Sequence, residues 1–299
     1  MKKVLVTGYI RSGTTLLANF LNSQKGCLVY RDFLGETLIS SDKLGIKSFL
    51  TELTDRQKNI FLSELKARSC AIGCEAMNGL SKDFSNLKEL HERALSALNK
   101  KNAYKIVGTK VTRLGEKLTT LIKETDLHVI YIYRDTRDVL LSAKNRFVGF
   151  NLIELILGLR KDLKSALSIE SKKLLKLKFE DLILNTDSIV KQLADFLDVD
   201  ISKDIRIAKD RETNWVNNSS FHDIDQLFDK KACFRWKNHR DSKEVKYCEI
   251  LMGDLIQKIG YDIDMKSYRI SDKLSAYKDL YIRRTKEVIK HFYRHVTKG

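Results

Sequence analysis

The residues whose types and spacing suit chemistry lie close to the start of the chain. A short apolar run, Val4 to Thr7, ends at Gly8, and from Gly8 to Gly13 the sequence GYIRSG has the glycine spacing of a loop that cradles phosphate. Glycines let backbone N–H groups approach an anion, and the helix expected from Thr14 onward adds its positive dipole end. In a loop that serves a nucleotide triphosphatase, a lysine for the β and γ phosphates would stand where Thr14 stands. Positive charge comes instead from Arg11, while Ser12, Thr14 and Thr15 add hydroxyl donors. That set suits a phosphate held by hydrogen bonds without a metal.

Further polar residues fall where a parallel sheet would bring them to the same mouth. Ligands of such sheets bind beyond the carboxyl ends of the strands. Lys110 ends the strand expected over Tyr104 to Thr109, and Arg134 ends the strand expected over His128 to Tyr133. Ser142 follows Arg134 by about two turns of the next helix. An arginine fork matches phosphate oxygens, and a serine hydroxyl adds a neutral donor. Asp32 and Glu36 lie in the segment leaving the first βα unit, near the same mouth. Either could serve as a general base or be a surface charge.

The elements that must position these groups read as alternating strands and helices. After Val4 to Thr7, the apolar spacing from Thr14 gives an amphipathic helix through Leu16, Leu17, Phe20 and Leu21. Helices are expected over Leu44 to Arg68, Phe84 to Lys100, Leu114 to Thr125, from Thr136 onward, Asn151 to Lys173, Thr186 to Leu197 and Val245 to Ile259. A further strand is expected over Leu174 to Phe179. Asp135, Arg137 and Asp138 are expected in local ion pairs and at a helix start, and Lys144 and Arg146 on a solvated helix face. The last stretch, 271–298, is helical, basic and aromatic. The expectation is a terminal helix packed on the domain with a solvated basic face; the sharper alternative is a helix that meets a membrane surface or a partner.

RSGTTLL after a first strand resembles the 5′-phosphosulfate loop of sulfotransferases that use 3′-phosphoadenosine 5′-phosphosulfate (PAPS). Arg134 with Ser142 resembles the 3′-phosphate motif of that family, in which an arginine ends a strand and a serine sits on the next helix. FEDL at Phe179 to Leu182, NNSSF at Asn217 to Phe221, and CFRWKNHR at Cys233 to Arg240 are similar to further family segments. Within the family, the carbohydrate and tyrosyl type is the more similar.

The resemblance implies an α/β, three-layer P-loop NTPase-like fold with a central parallel sheet flanked by helices, spanning 1–299 as a single domain. It implies transfer of a sulfuryl group from PAPS to a hydroxyl, less readily an amine, of a small molecule or glycan, with 3′,5′-adenosine bisphosphate as product and no metal. A carbohydrate or lipid-linked glycan is the acceptor expected. Arg11, Ser12, Gly13, Thr14 and Thr15 would hold the 5′ end, and Arg134 and Ser142 the 3′-phosphate. Glu36 or Asp32 would take the acceptor's proton, with Lys110 and Arg11 stabilising the departing phosphate. Arg235 and Lys237, in a late basic loop, would close over the nucleotide, with Trp236 as anchor. Departures are visible: Val111 and Thr112 follow Lys110 where the family has a proline, Thr136 replaces the proline of RDPRD, Glu180 and Asp181 read as structural, and Phe234 replaces the glycine before RW.

Composition bounds these readings. The chain has 299 residues, 43% hydrophobic, enough for a sizeable core. Its formal net charge of +16 favours anionic partners: a nucleotide, acidic glycans, nucleic acid or an anionic membrane. Nothing resembles a stacking platform or groove-binding module, so nucleic acid is not the expected partner, and a basic nucleic-acid binder with a vestigial loop ranks behind a small-molecule kinase as an alternative. The five cysteines form no CxxC pair, which argues against structural zinc and for free thiols. With the first strand beginning within a few residues of Met1, and no apolar stretch long enough to span a bilayer, the expected location is cytoplasmic. Proline is absent, so turns must rest on Gly, Asn, Asp and Ser.

Overall fold

Lys2–Thr7 (β1) is the middle strand of a five-stranded sheet in the computed structural model, which describes residues 1–31, 49–71, 75–99, 104–203, 229–263 and 268–296. The other strands are Cys27–Arg31 (β2), Ile106–Lys110 (β3), His128–Tyr133 (β4) and Leu174–Lys178 (β5). All pair in parallel, in the order β2-β3-β1-β4-β5. β1 begins earlier than its apolar run because the Lys2 N–H bonds the Lys105 carbonyl at 2.8 Å and Lys2 stands opposite Ile106.

The pleat sends alternate residues into two cores, which is why the strands read as continuous apolar runs. Leu5, Val107, Val129 and Tyr131 face one helical layer, and Val4, Val6, Ile106, Ile130 and Ile132 face the other. The second layer is built from Thr14–Asn22 (α1), Phe179–Leu184 (α7) and Thr186–Leu197 (α8). The first contains Asp55–Ala71 (α2), Leu87–Leu98 (α3), Leu118–Glu124 (α4), Thr136–Arg146 (α5), Leu152–Leu167 (α6), Lys243–Lys258 (α9) and the long Ile270–Val296 (α10). Sheet and two layers give the three-layer α/β architecture expected.

Several helix boundaries differ from those expected, for local reasons. α2 starts at Asp55 because Thr54 and Gln57 form a reciprocal capping box, the Thr54 N–H bonding Gln57 Oε1 at 2.9 Å and the Gln57 N–H bonding Thr54 Oγ1 at 3.3 Å. Asn86 caps α3 by accepting from the Glu89 N–H at 3.0 Å. The segment expected to be helical from Leu114 opens with a 3₁₀ turn, Gly115–Lys117, where the Gly115 N–H is held by buried Asp162 at 2.7 Å. α6 stops at Leu167 because the chain must return to the sheet: the Lys173 carbonyl accepts from the Val129 N–H at 2.7 Å, setting Leu174 beside Val129.

Beneath the carboxyl end of β4, Arg137 is 1% exposed and its guanidinium makes four hydrogen bonds. Its Nε reaches Asp135 Oδ1 at 2.9 Å, one terminal nitrogen reaches Asp135 Oδ2 at 2.7 Å, and the other reaches Glu249 and the Asp262 carbonyl. The guanidinium lies 3.4 Å from the Trp236 ring centroid. Asp135 also caps α5 through the Arg137 N–H, so the ion pairs and helix-start role expected of Asp135 and Arg137 are combined in one device.

Arg137→Ala would leave Asp135 and Glu249 buried without their cation, and a loss of about 3–5 kcal/mol is expected. Arg160→Ala, which removes a surface pair with Asp254, should cost no more than about 1 kcal/mol. Urea unfolding at neutral pH distinguishes the two. A second expectation concerns buried His91, in edge contact with Phe49 and pushed by burial from 6.5 to about 3. The unfolded chain then binds a proton that the folded one refuses, so this stability is complete above pH 6.5 and is lost as pH falls towards 3. Between pH 7 and 5, His91→Leu should therefore lose less of its own unfolding free energy than wild type does.

Candidate functional site

Topology places the polar groups together. β1 lies between β3 and β4, so the carboxyl ends of these neighbouring strands open on one mouth. From β1 comes the loop Gly8–Gly13; from β3 comes Lys110, opposite Val6; from β4 comes Arg134, which leads into α5 and Ser142. Arg11 and Gly13 have positive φ, 65° and 96°. This curls the loop, and the Ser12 N–H returns to the Tyr9 carbonyl at 3.2 Å. At Gly13 a side chain has no room: a Cβ would stand 2.3 Å from the Phe179 ring. Ser12 and Thr14 are buried, and Thr15 is half-buried at the first turn of α1.

The loop and the arginine–serine pair meet directly. Arg11 Nε donates to Ser142 Oγ at 3.0 Å, and an Arg134 terminal nitrogen donates to the Arg11 carbonyl at 3.3 Å. Arg134 also bonds the Ala232 carbonyl, pairs with Asp138 at 3.5 Å, and lies 4.5 Å from the Phe179 ring centroid. Among the described residues its Nε, which is buried, has no hydrogen-bond partner. Lys110 is 5% exposed at the end of β3, where its neighbours across the sheet are Val6 and Arg31.

The field at this place is positive. Burial, then the neighbouring charges of Arg134 and Arg146, lower Arg11 to about 10. Arg235 is lowered too, first by burial and then by Arg134. Cations crowded into a partly buried mouth disfavour one another, and an anion relieves that repulsion. Below them, burial raises the carboxyls of Asp138 and Glu180. Glu180 accepts from the Asp135 N–H at 3.2 Å and from the Tyr261 hydroxyl, and Asp138 accepts from the Trp236 N–H at 2.8 Å. These bonds give Glu180 and Asp138 a structural role.

The late basic segment reaches the mouth through its backbone. Ala232 supplies the carbonyl for Arg134, whereas Arg235 turns back to the Lys231 carbonyl at 2.6 Å and to Asp229 at 3.8 Å. Lys237 is exposed over the Phe234 ring at 5.0 Å. Trp236 is buried as the expected anchor. Phe234, standing where a glycine was expected, keeps the left-handed backbone with φ 58°. That conformation is costly for an aromatic residue, and the packing of Phe234 with Trp236, Leu141 and Val245 holds it. Lys144, 51% exposed, pairs with Glu244 at 2.9 Å. Arg146 is exposed at the end of α5, near enough to act on Arg11.

Asp32, Glu36 and Asn217–Phe221 lie outside the described residues. Phe179, which packs on both Gly13 and Arg134, stood in the FEDL segment and at the end of the expected strand, but its ring was given no role there. Glu249 and Tyr261 were also missed, having nothing in their local sequence to join them to Arg137 and Glu180.

Comparison with known proteins identifies the family and the fold. The family model "Sulfotransferase domain" matches residues 1–260. The sulfotransferase domain of the Synechococcus PCC 7002 olefin synthase superposes with a TM-score of 0.60 at 15% identity, covering 88% of this chain and 96% of that one. The sulfotransferase domain of the curacin biosynthetic pathway superposes with a TM-score of 0.57 at 13% identity, covering 88% and 99%. A search of curated proteins found no match. With a family match over most of its length, and with the mouth of its parallel sheet built from the loop and arginine–serine pair described above, the chain belongs to the sulfotransferase family and is an enzyme of that class.

Proposed function

We propose that the mouth binds PAPS and that the enzyme transfers its sulfuryl group to a hydroxyl of a carbohydrate or lipid-linked glycan. The observation that carries this reading is the 3.0 Å bond from Arg11 to Ser142, which joins the phosphate loop to the helix that follows Arg134. A nucleotide with phosphate at both ends of its ribose fits two anion positions that share a wall. The unpartnered Arg134 Nε and the mutual repulsion of the arginines both suit a bound polyanion. Thr14, in place of a lysine, disfavours a nucleoside triphosphate with magnesium.

In this reading Ser12, Gly13, Thr14 and Thr15 hold the 5′ end, while Arg134 and Ser142 hold the 3′-phosphate. Arg11 touches Ser142 and serves both. Glu36 or Asp32 takes the proton from the acceptor oxygen as it attacks sulfur. As the bond between sulfur and the bridging phosphate oxygen breaks, Lys110 and Arg11 stabilise the negative charge left on the nucleotide, which departs as 3′,5′-adenosine bisphosphate. Positioning and charge stabilisation carry the rate, as in phosphoryl transfer. Arg235 and Lys237 approach the nucleotide by turning from their present partners. The chain works as one domain, and the free thiols of Cys27, Cys233 and Cys248 suit a reducing, cytoplasmic setting.

Calorimetry with 3′,5′-adenosine bisphosphate and with ATP, each with and without magnesium, tests the donor. Binding of the bisphosphate is expected without magnesium and should weaken about tenfold or more in Arg134→Ala, which removes charge-assisted bonds. Preference for ATP with magnesium, or binding indifferent to Arg134, would overturn the reading. For the base, Glu36→Gln or Asp32→Asn, whichever residue acts, should lower turnover by about 10²–10⁴-fold while leaving bisphosphate affinity unchanged. Full turnover in the double variant would remove both from the mechanism.

A further inference from the structure

Helix α10 has two dissimilar faces. One packs on the domain: Ala276 is fully buried, Ser275 and Asp279 bond the Tyr247 hydroxyl at 2.7 and 3.0 Å, and Arg283 pairs with Glu154 of α6. Asp272 and Asp279 are drawn to the same side by Lys246 and Lys243 of α9, at 3.4 and 3.0 Å. The other face carries Ile270, Leu274, Tyr277 and Tyr281, exposed by 77, 66, 54 and 72%. Their spacing of four, three and four residues stacks them in one stripe along the helix. Large apolar side chains aligned over three turns are not the scatter of single exposed residues that soluble surfaces ordinarily show.

The charges beside the stripe select its occupant. Lys273 borders it on one side and Lys278 on the other, with exposed Arg284 continuing it by a turn. Between Ile270 and Lys286 the acids are Asp272 and Asp279, both engaged with α9. The outward face is therefore apolar at its centre and cationic at its edges. A second copy of the helix would meet it badly: in a parallel or an antiparallel pair, the flanking lysines face lysines. An anionic bilayer meets both features at once, taking the apolar residues into the boundary between headgroups and acyl chains and the lysines against lipid phosphates. Tyrosine suits that depth, its ring apolar and its hydroxyl wet. No described helix is long and apolar enough to cross a membrane, so the contact is one that lies on the surface.

We propose that the outward face of α10 docks the enzyme on an anionic membrane surface, with Ile270, Leu274, Tyr277 and Tyr281 inserted and Lys273, Lys278 and Arg284 against the headgroups. This does not rest on the choice of sulfuryl donor or acceptor. The chain's general positive charge could draw it weakly to any polyanion. Dependence on the apolar stripe separates docking from that background.

The test is co-sedimentation of the full chain with phosphatidylserine-containing vesicles and with pure phosphatidylcholine vesicles, at low and high salt. The expected result is binding to the anionic vesicles, weakened by salt, and reduced about tenfold or more both by Leu274→Glu and by the pair Lys273→Glu and Lys278→Glu. These positions lie on the surface away from the buried face, so the variants should keep the wild-type unfolding temperature. Absence of binding, equal binding to both vesicles, or binding that survives Leu274→Glu would overturn the proposal. A solution dimer dispersed by Leu274→Glu, without vesicle binding, would overturn it in favour of a second copy.

Discussion

The buried ion cluster of Arg137 with Asp135 and Glu249 is the constraint on which the upper end of the molecule depends. Asp135 starts α5 directly after β4, and Arg137 binds that acid while gripping Glu249 of α9 and the Asp262 carbonyl. The start of α5, the middle of α9 and the segment carrying Trp236 are thereby locked together. Arg134 and Ser142 stand before and after this knot, so their separation follows from the rigid start of one helix. Buried charge clusters are weak sources of net stability, since desolvation consumes much of the attraction. What this one supplies is placement: three elements distant in sequence meet in one arrangement, because any other leaves a charge buried alone.

Above the knot the balance is reversed. Arg11 and Arg134 crowd one mouth, and the first of them is depressed by burial and by its neighbours. Asp138 partly compensates at 3.5 Å, and backbone carbonyls of Arg11 and Ala232 absorb two donors of Arg134. Its Nε remains unmatched among the described residues. Like charges crowded in this way repel one another, and a bound anion would relieve that repulsion. In the proposed reading, the Ala232 carbonyl is the partner that a nucleotide phosphate oxygen would displace from Arg134.

Much of this was legible in the sequence where the signal was local. The glycine-flanked loop after β1, Arg134 at its strand end, Ser142 two turns on, and Asp135 as a helix start were all read from short stretches, because backbone geometry over a few residues fixes them. The parallel sheet was legible from apolar runs alternating with helical spacing. The interactions between distant segments were not. Glu249 lies 112 residues from Arg137, and Tyr261 lies 81 from Glu180, so no periodicity links them. Phe179 belonged to a recognised segment, yet its acids drew the attention while its ring does the packing. Phe234 shows the opposite limit: its side chain contradicts the glycine rule, and tertiary packing overrides that local preference.

The same separation of local from tertiary signals explains α10. As a sequence it is basic and aromatic throughout, which suits a solvated terminal helix as well as a surface-seeking one. Only packing shows which residues the domain uses. Once Ala276 is buried, Arg283 paired, and Asp272 and Asp279 engaged with α9, the outward face between Ile270 and Lys286 is no longer mixed. Its apolar stripe and its lysines have become one surface with one sign of charge. An enzyme whose acceptor were lipid-linked would gain from such a surface, since holding the domain at a bilayer confines its search for that acceptor to two dimensions. The charge that helps dock the helix would also help draw an anionic nucleotide to the mouth, so a single excess of lysine and arginine would serve both encounters.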